Sequence, residues 1–195
     1  MSSNREPTPR TKQWRKYRQH DDNPALDNPE HNHPVTKVIS GGQVGADIAG
    51  LRAAKRVGIE TGGWMPRTFR TKQGPRPEYA DLYNVKELTT RDYRARTRLN
   101  VEDSDATFRM MLDPETAGEV ATLWELKYAG KPYIDFFFDY NYKLLDPDGA
   151  EHKARRWLKI NKIKTLNVAG NAYIYLEPPV EEFLVRVLGH AKTYD

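Results

Sequence analysis

The sequence predicts an α/β fold: a doubly wound, mostly parallel sheet with helices on both faces, preceded by a polar N-terminal arm. Two observations carry this. From Val35 onward, short apolar runs alternate with amphipathic stretches in the order strand, helix, strand. Up to His33 the chain is rich in Pro, Asn, Asp and Arg without any apolar period. The boundary is therefore set near Pro34, giving an arm over 1–34 and one ligand-binding domain over 35–195. A length of 195 residues suits that division better than two full domains.

The first strand is expected over Val35–Ser40. Ala49, Ala53 and Val57 then recur at helical spacing until Gly58 offers a stop. A second strand starts at Ile59. The stretch 62–80, punctuated by Pro66, Gly74, Pro75 and Pro77, reads as a long loop, and Leu82–Val85 as a weak strand. Thr89 or Thr90 can cap a helix reaching Glu102, followed by a strand over Ala106–Leu112. Thr116–Ala129 reads as a helix closed by Gly130, and Tyr133–Phe138 as its companion strand. The turn Asp146-Pro147-Asp148-Gly149 precedes a helix through Trp157 and Ile160. A strand over Thr165–Val168 and a helix over Pro179–Leu188 complete the pattern.

Composition narrows the function. No run approaches the roughly 18 apolar residues of a membrane span, and the start lacks the apolar core of a secretion signal. With no cysteine there are no disulfides, thiolate metal sites or cysteine nucleophiles, which fits a cytoplasmic protein. The net charge of +4 is unevenly placed: +5 over residues 1–20, −4 over 21–34 and +3 over the rest. The basic arm, with Trp14 and Tyr17, offers a nucleic-acid contact, although a solvated tail is the more common role of such a segment. His31 and His33 lack a third ligand and read as a solvated pair rather than a metal clamp. Asp103-Ser104-Asp105 reads as a turn rather than a metal site.

The segment Ser40-Gly41-Gly42-Gln43-Val44-Gly45-Ala46-Asp47 lies between a strand and a helix. Glycines there let the backbone turn and approach a ligand, and free amides at a helix start favour an anion such as phosphate. The spacing matches neither a dinucleotide fingerprint nor a P-loop. Asp47 would repel a phosphate if it faced one, so it is expected to cap its helix, bind sugar hydroxyls or hold a metal.

Ser40–Asp47, Thr61-Gly62-Gly63-Trp64-Met65-Pro66, Arg96-Thr97-Arg98-Leu99-Asn100-Val101, Asp103–Thr107 and Leu166-Asn167-Val168-Ala169-Gly170 resemble, in order, the motifs of the molybdenum cofactor carrier family. That family sits in the SLOG group of Rossmann-like nucleotide-binding proteins, which also holds the Lonely Guy phosphoribohydrolases. The resemblance implies a ligand crevice at the carboxyl ends of the strands and self-association as a dimer or tetramer. The implied ligand is a phosphorylated small molecule, either a nucleotide or a molybdopterin-type cofactor. The implied ligand-binding residues are Gly41, Gly42, Gln43, Gly45, Asp47, Trp64, Arg67, Arg70, Thr116, Gly118, Asn167, Gly170 and Asn171. Arg67 and Arg70 suit phosphates, Trp64 suits a ring, and Asn167 or Asn171 suits ring edges.

Two departures bear on chemistry. Relatives carry a Thr-Gly-Gly-Thr-like turn where this chain has Thr116-Ala117-Gly118-Glu119, and Asn171-Ala172-Tyr173 follows the last motif in place of Pro and small polar residues. The PGGxGTxxE motif of Lonely Guy enzymes is absent, leaving Glu119 and Glu125 as weak catalytic candidates. A binding protein is the favoured reading. The alternatives are sequestration or sensing of a nucleotide second messenger without turnover, and a glycosidic hydrolase.

Overall fold

A computed structural model describes residues 33–189. Six strands form one parallel sheet: β1 (Lys37–Ser40), β2 (Glu60–Met65), β5 (Val85–Glu87), β6 (Ala106–Met111), β7 (Tyr133–Phe137) and β8 (Thr165–Gly170). Their order across the sheet is β5-β2-β1-β8-β6-β7. The small strands β3 (Arg70–Thr71) and β4 (Gly74–Pro75) make a separate hairpin. The helices are α1 (Ala46–Arg56), α2 (Tyr79–Tyr83), α3 (Tyr93–Glu102), α4 (Ala117–Ala129), α5 (Pro147–Ile160) and α6 (Glu177–Leu188). This is the doubly wound α/β architecture that the alternation of apolar runs foretells. No described helix is long and apolar enough to cross a membrane.

The two faces of the sheet differ in chemistry. Side chains alternate across a strand, so Phe108 and Met110 of β6, Leu166 and Val168 of β8, and Ile134 and Phe136 of β7 share one face. They join α1, α5 and α6 in the main apolar core, with Leu158, Phe183 and Leu184. The intervening residues, Thr107, Arg109, Asp135 and Asn167, turn to the opposite face, where Arg109 meets Glu119 of α4. On that second face Asn167 Nδ2 donates to Thr107 Oγ1 at 3.0 Å.

Several boundaries differ from the sequence reading. Gly62–Met65 belongs to β2, not to a loop; the paired glycines signal a close approach, because at Gly63 (φ 122°) a Cβ would stand 2.2 Å from the Ser40 carbonyl. Residues 79–83 form the short α2, with Tyr79 and Tyr83 packed edge to face, and the following strand starts only at Val85. Helix α3 is capped by Asp92, which accepts from Arg94 N at 2.8 Å, rather than by Thr89 or Thr90. Strand β8 runs on to Gly170, two residues past the expected end. His33 is buried rather than solvated, its Nε2 lying 3.0 Å from the Leu188 carbonyl oxygen. His31 and the basic arm lie outside the described residues.

Candidate functional site

The carboxyl ends of β1, β2, β6 and β8 meet where the strand order reverses, the usual place for a ligand crevice in an open α/β sheet. The glycine turn after β1 enters α1 here, and all of residues 41–50 are buried. Gly45 (φ 88°) must be glycine, since a Cβ would reach 2.3 Å from the Asn171 carbonyl.

The amides of this turn point to the chain itself. Gln43 N faces Asp47 Oδ2 at 3.4 Å, Val44 N donates to Gln43 Oε1 at 3.0 Å, Gly45 N to Glu177 Oε1 at 3.0 Å and Ala46 N to the Asn171 carbonyl at 3.3 Å. The same Gln43 oxygen accepts from Lys72 N at 2.8 Å, tying the β3–β4 hairpin to the turn. A helix start whose donors are satisfied internally has little left for an anion.

The other predicted residues fall into three groups. Asn171 is fully engaged: Oδ1 accepts from Leu112 N and Asp113 N, both at 2.7 Å, and Nδ2 donates to the Asp113 carbonyl and to Thr116 Oγ1. It holds the loop that leads into α4. Gly170 allows β8 to approach β6, where a Cβ would lie 2.0 Å from the Met110 carbonyl. Trp64 hands its indole N–H to Asp103 at 2.7 Å and lies under Lys86 Nζ, 5.2 Å from the ring centroid. Arg67, on the turn after β2, and Arg70, the first residue of β3, are both exposed, and between them Thr68 (φ 67°) and Phe69 (φ 48°) take left-handed conformations in succession.

Thr116 caps α4 through Glu119 N at 3.5 Å, while Ala117 and Gly118 are exposed and a Cβ at Gly118 would meet open space. Asp105 accepts from Lys164 N and Thr165 N, both at 2.8 Å, as a turn residue would. Among the described residues no group of three or more His, Cys, Asp or Glu stands ready for a metal.

Beneath this rim lies a buried ionic network. Asp47 pairs with Arg96 Nη1 at 3.1 Å. The Arg96 guanidinium covers Gly41, where a Cβ would come within 2.2 Å of it, and its buried Nε has no partner. Arg109, on β6, contacts both Asp135 oxygens at 3.2 and 3.3 Å and lies 3.6 Å from Glu119 Oε2. That Glu119 oxygen is buried and accepts no hydrogen bond.

Burial raises the Glu119 carboxyl to about 7; Arg109 works against it, whereas Asp47 and Asp135 add to it. Burial also raises Asp47, opposed by Arg96 and by the amides of Gln43 and Gly170. Glu125, also buried on α4, pairs with Arg94 at 3.7 Å. Sequence reasoning noted Arg96 only as part of a motif and passed over Arg109 and Asp135. An arginine inside the run Ala106–Met111 was the available sign, since a charge there must be paired.

A family model described as the circularly permutated YpsA SLOG family matches residues 38–188. The chain belongs to this family. This SLOG domain is also similar to a crystal structure of a "Putative molybdenum carrier protein" from Syntrophus aciditrophicus SB. The two are 31% identical, the match covers 80% of this chain and 94% of the other, and the TM-score is 0.67. No curated protein matches the chain.

Proposed function

We propose that this SLOG domain binds a phosphorylated nucleotide-like or pterin-like small molecule at the carboxyl ends of its strands and does not turn it over. The observation that carries the reading is Arg96 at the crevice, whose Nη1 pairs with Asp47 while its buried Nε has no partner, close enough to Glu119 for their charges to interact. Arginine is suited to phosphate because its planar fork matches two oxygens at once. The glycine turn after β1 has its amides engaged, so the anion belongs with Arg96 and the exposed first turn of α4. Arg67 and Arg70 on the outer rim extend the positive charge. The similar structure is named a molybdenum carrier protein, which supports a molybdenum-containing ligand among the candidates. The absence of cysteine suits a cytoplasmic setting.

Native mass spectrometry of the purified protein, followed by identification of any released small molecule, tests the class of ligand. In parallel, titration with AMP as a nucleotide probe is expected to give saturable binding. Arg96→Ala should weaken it about 10- to 100-fold, the loss of a charged hydrogen bond. An empty protein that binds neither AMP nor a molybdopterin-containing extract would overturn the proposal. Glu119 supports a second reading, a hydrolase, because a buried carboxyl near 7 can donate a proton to a leaving base. Release of adenine from AMP, lost in Glu119→Gln, would favour it. Tight retention of a cyclic or ADP-ribose-derived nucleotide without turnover would instead favour messenger capture.

A further inference from the structure

The β3–β4 hairpin carries charge that the described chain does not use. Residues 67–76 hold Arg67, Arg70, Lys72 and Arg76 and no acid. Arg76 pairs with Glu78 at 3.6 Å and Glu87 is held by Thr68 N, whereas Arg67, Arg70 and Lys72 are exposed and form no ion pair among the described residues. The hairpin is nonetheless firmly placed. Phe69 packs on the cluster of Ile48, Leu51 and Met65, Arg76 N donates to the Phe69 carbonyl at 3.0 Å, and the buried Thr71 closes the tip through Gly74 and Gln73. Unpaired like charges gathered on an ordered turn repel one another until an anion joins them.

Gln43 supplies a second, independent observation. Its Oε1 accepts from Val44 N at 3.0 Å and from Lys72 N at 2.8 Å. Two N–H donors demand the carbonyl oxygen, so the orientation of the carboxamide is fixed. Its Nε2 is left with no hydrogen-bond partner in a residue only 6% exposed, yet it is not sealed from solvent. A donor locked in this way is preorganised for an acceptor oxygen of a ligand. Gln43 also links the hairpin to Arg96, because Asp47 Oδ2 stands 3.4 Å from Gln43 N and 3.1 Å from Arg96 Nη1.

Building on the binding proposal above, we infer that Gln43 and the β3–β4 hairpin form a second phosphate subsite, and that the ligand carries two linked phosphates, as a nucleoside diphosphate does. One phosphate sits with Arg96. The other lies at Gln43, where Nε2 donates to it and the ammonium of Lys72 and the guanidinium of Arg70 neutralise it. Lys72 is within reach because its own amide is bound to Gln43. Asp47 is paired with Arg96, so its carboxylate does not stand against the second phosphate uncompensated. A monophosphate held at Arg96 would leave the hairpin cations and the Gln43 donor unused. A polynucleotide would need a longer track of free cations than three side chains around one buried amide.

Calorimetric titration of the full chain with AMP and with ADP tests this. ADP should bind about 10- to 100-fold tighter than AMP, the gain from added charge-assisted hydrogen bonds, and inorganic pyrophosphate should displace it far better than inorganic phosphate. Lys72→Ala should reduce ADP affinity while AMP affinity and the melting temperature stay at their wild-type values. Gln43→Glu keeps an oxygen for both backbone amides but replaces the donor with an acceptor, so ADP should lose its advantage. Arg96→Ala should weaken both nucleotides alike. Equal affinities for AMP and ADP in the wild type, or an ADP advantage that survives both Lys72→Ala and Gln43→Glu, would overturn the inference while AMP binding still upheld the binding proposal. Pyrophosphate binding without AMP binding would uphold the subsite and overturn the nucleotide reading. A chain that binds neither nucleotide nor pyrophosphate, or a single-stranded RNA bound at the hairpin that pyrophosphate does not displace, would overturn the subsite as well.

Discussion

Glu119 holds a carboxyl displaced from its ordinary state by burial, and pH exposes it directly. In the unfolded chain its carboxyl titrates at 4.5, and in the folded chain burial lifts that to about 7. Between those values the folded protein holds a proton that the unfolded chain has released, so stability falls as pH rises across the interval. Below 4.5 both states are protonated and the cost is absent; above about 7 it is fully present. Glu119→Gln removes the ionisable group, and urea unfolding at a series of pH values should show the variant losing this slope. The sequence made Glu119 visible as a departure from a family turn and as a weak catalytic candidate. Its burial depends on Arg109 and Asp135, and nothing local announces those partners: strand pairing of β6 with β7 brings Arg109 beside Asp135. Asn171 teaches the converse. Its position in a glycine-rich loop suggests a ligand contact, yet its amide is spent on four groups of the loop before α4. Sequence position locates a polar side chain at the crevice, but only the hydrogen-bond inventory says whether any capacity remains.

At the scale of elements, periodicity carried most of the reading and capping chemistry decided the errors. The strands β6 and β7 and the helices α1 and α4 stand within a residue or two of their expected positions, because each is a long run with clear stop signals such as Gly58 and Gly130. The region 62–92 was less legible. There the strands are short, Gly63 sits inside β2 rather than in a turn, and α2 is five residues held by aromatic packing. Helix α3 begins at Asp92 instead of the two threonines, since Asp92 alone has its side chain on a first-turn amide. Asp92→Ala should therefore cost about 1 kcal/mol, measured as a shift of the denaturant midpoint at constant slope. Because α3 carries Arg96, fraying of its first turn should also weaken AMP binding in proportion, which a titration of the same variant reads out.

For the molecule as a whole, the division of labour between the two faces of the sheet sets where mutations hurt. The α1, α5 and α6 side is a conventional apolar core, while the α4 side is fastened by Arg109 between Glu119 and Asp135. Arg109→Met leaves two carboxylates without their cation, and at neutral pH should cost about 3 to 5 kcal/mol. The penalty should shrink in acid as Glu119 takes up its proton, a dependence that chemical denaturation at two pH values would detect; a pH-independent loss would point to packing instead. The strand order has a separate consequence. The last strand to be made, β8, lies between β1 and β6 in the middle of the sheet. During synthesis β1, β2, β5, β6 and β7 all leave the ribosome before β8, so the strand that joins the two halves of the sheet arrives last. Until residues 165–170 emerge, β1 and β6 each lack a neighbour, so the nascent chain must keep those edges from pairing with other chains before its own final strand can close the gap.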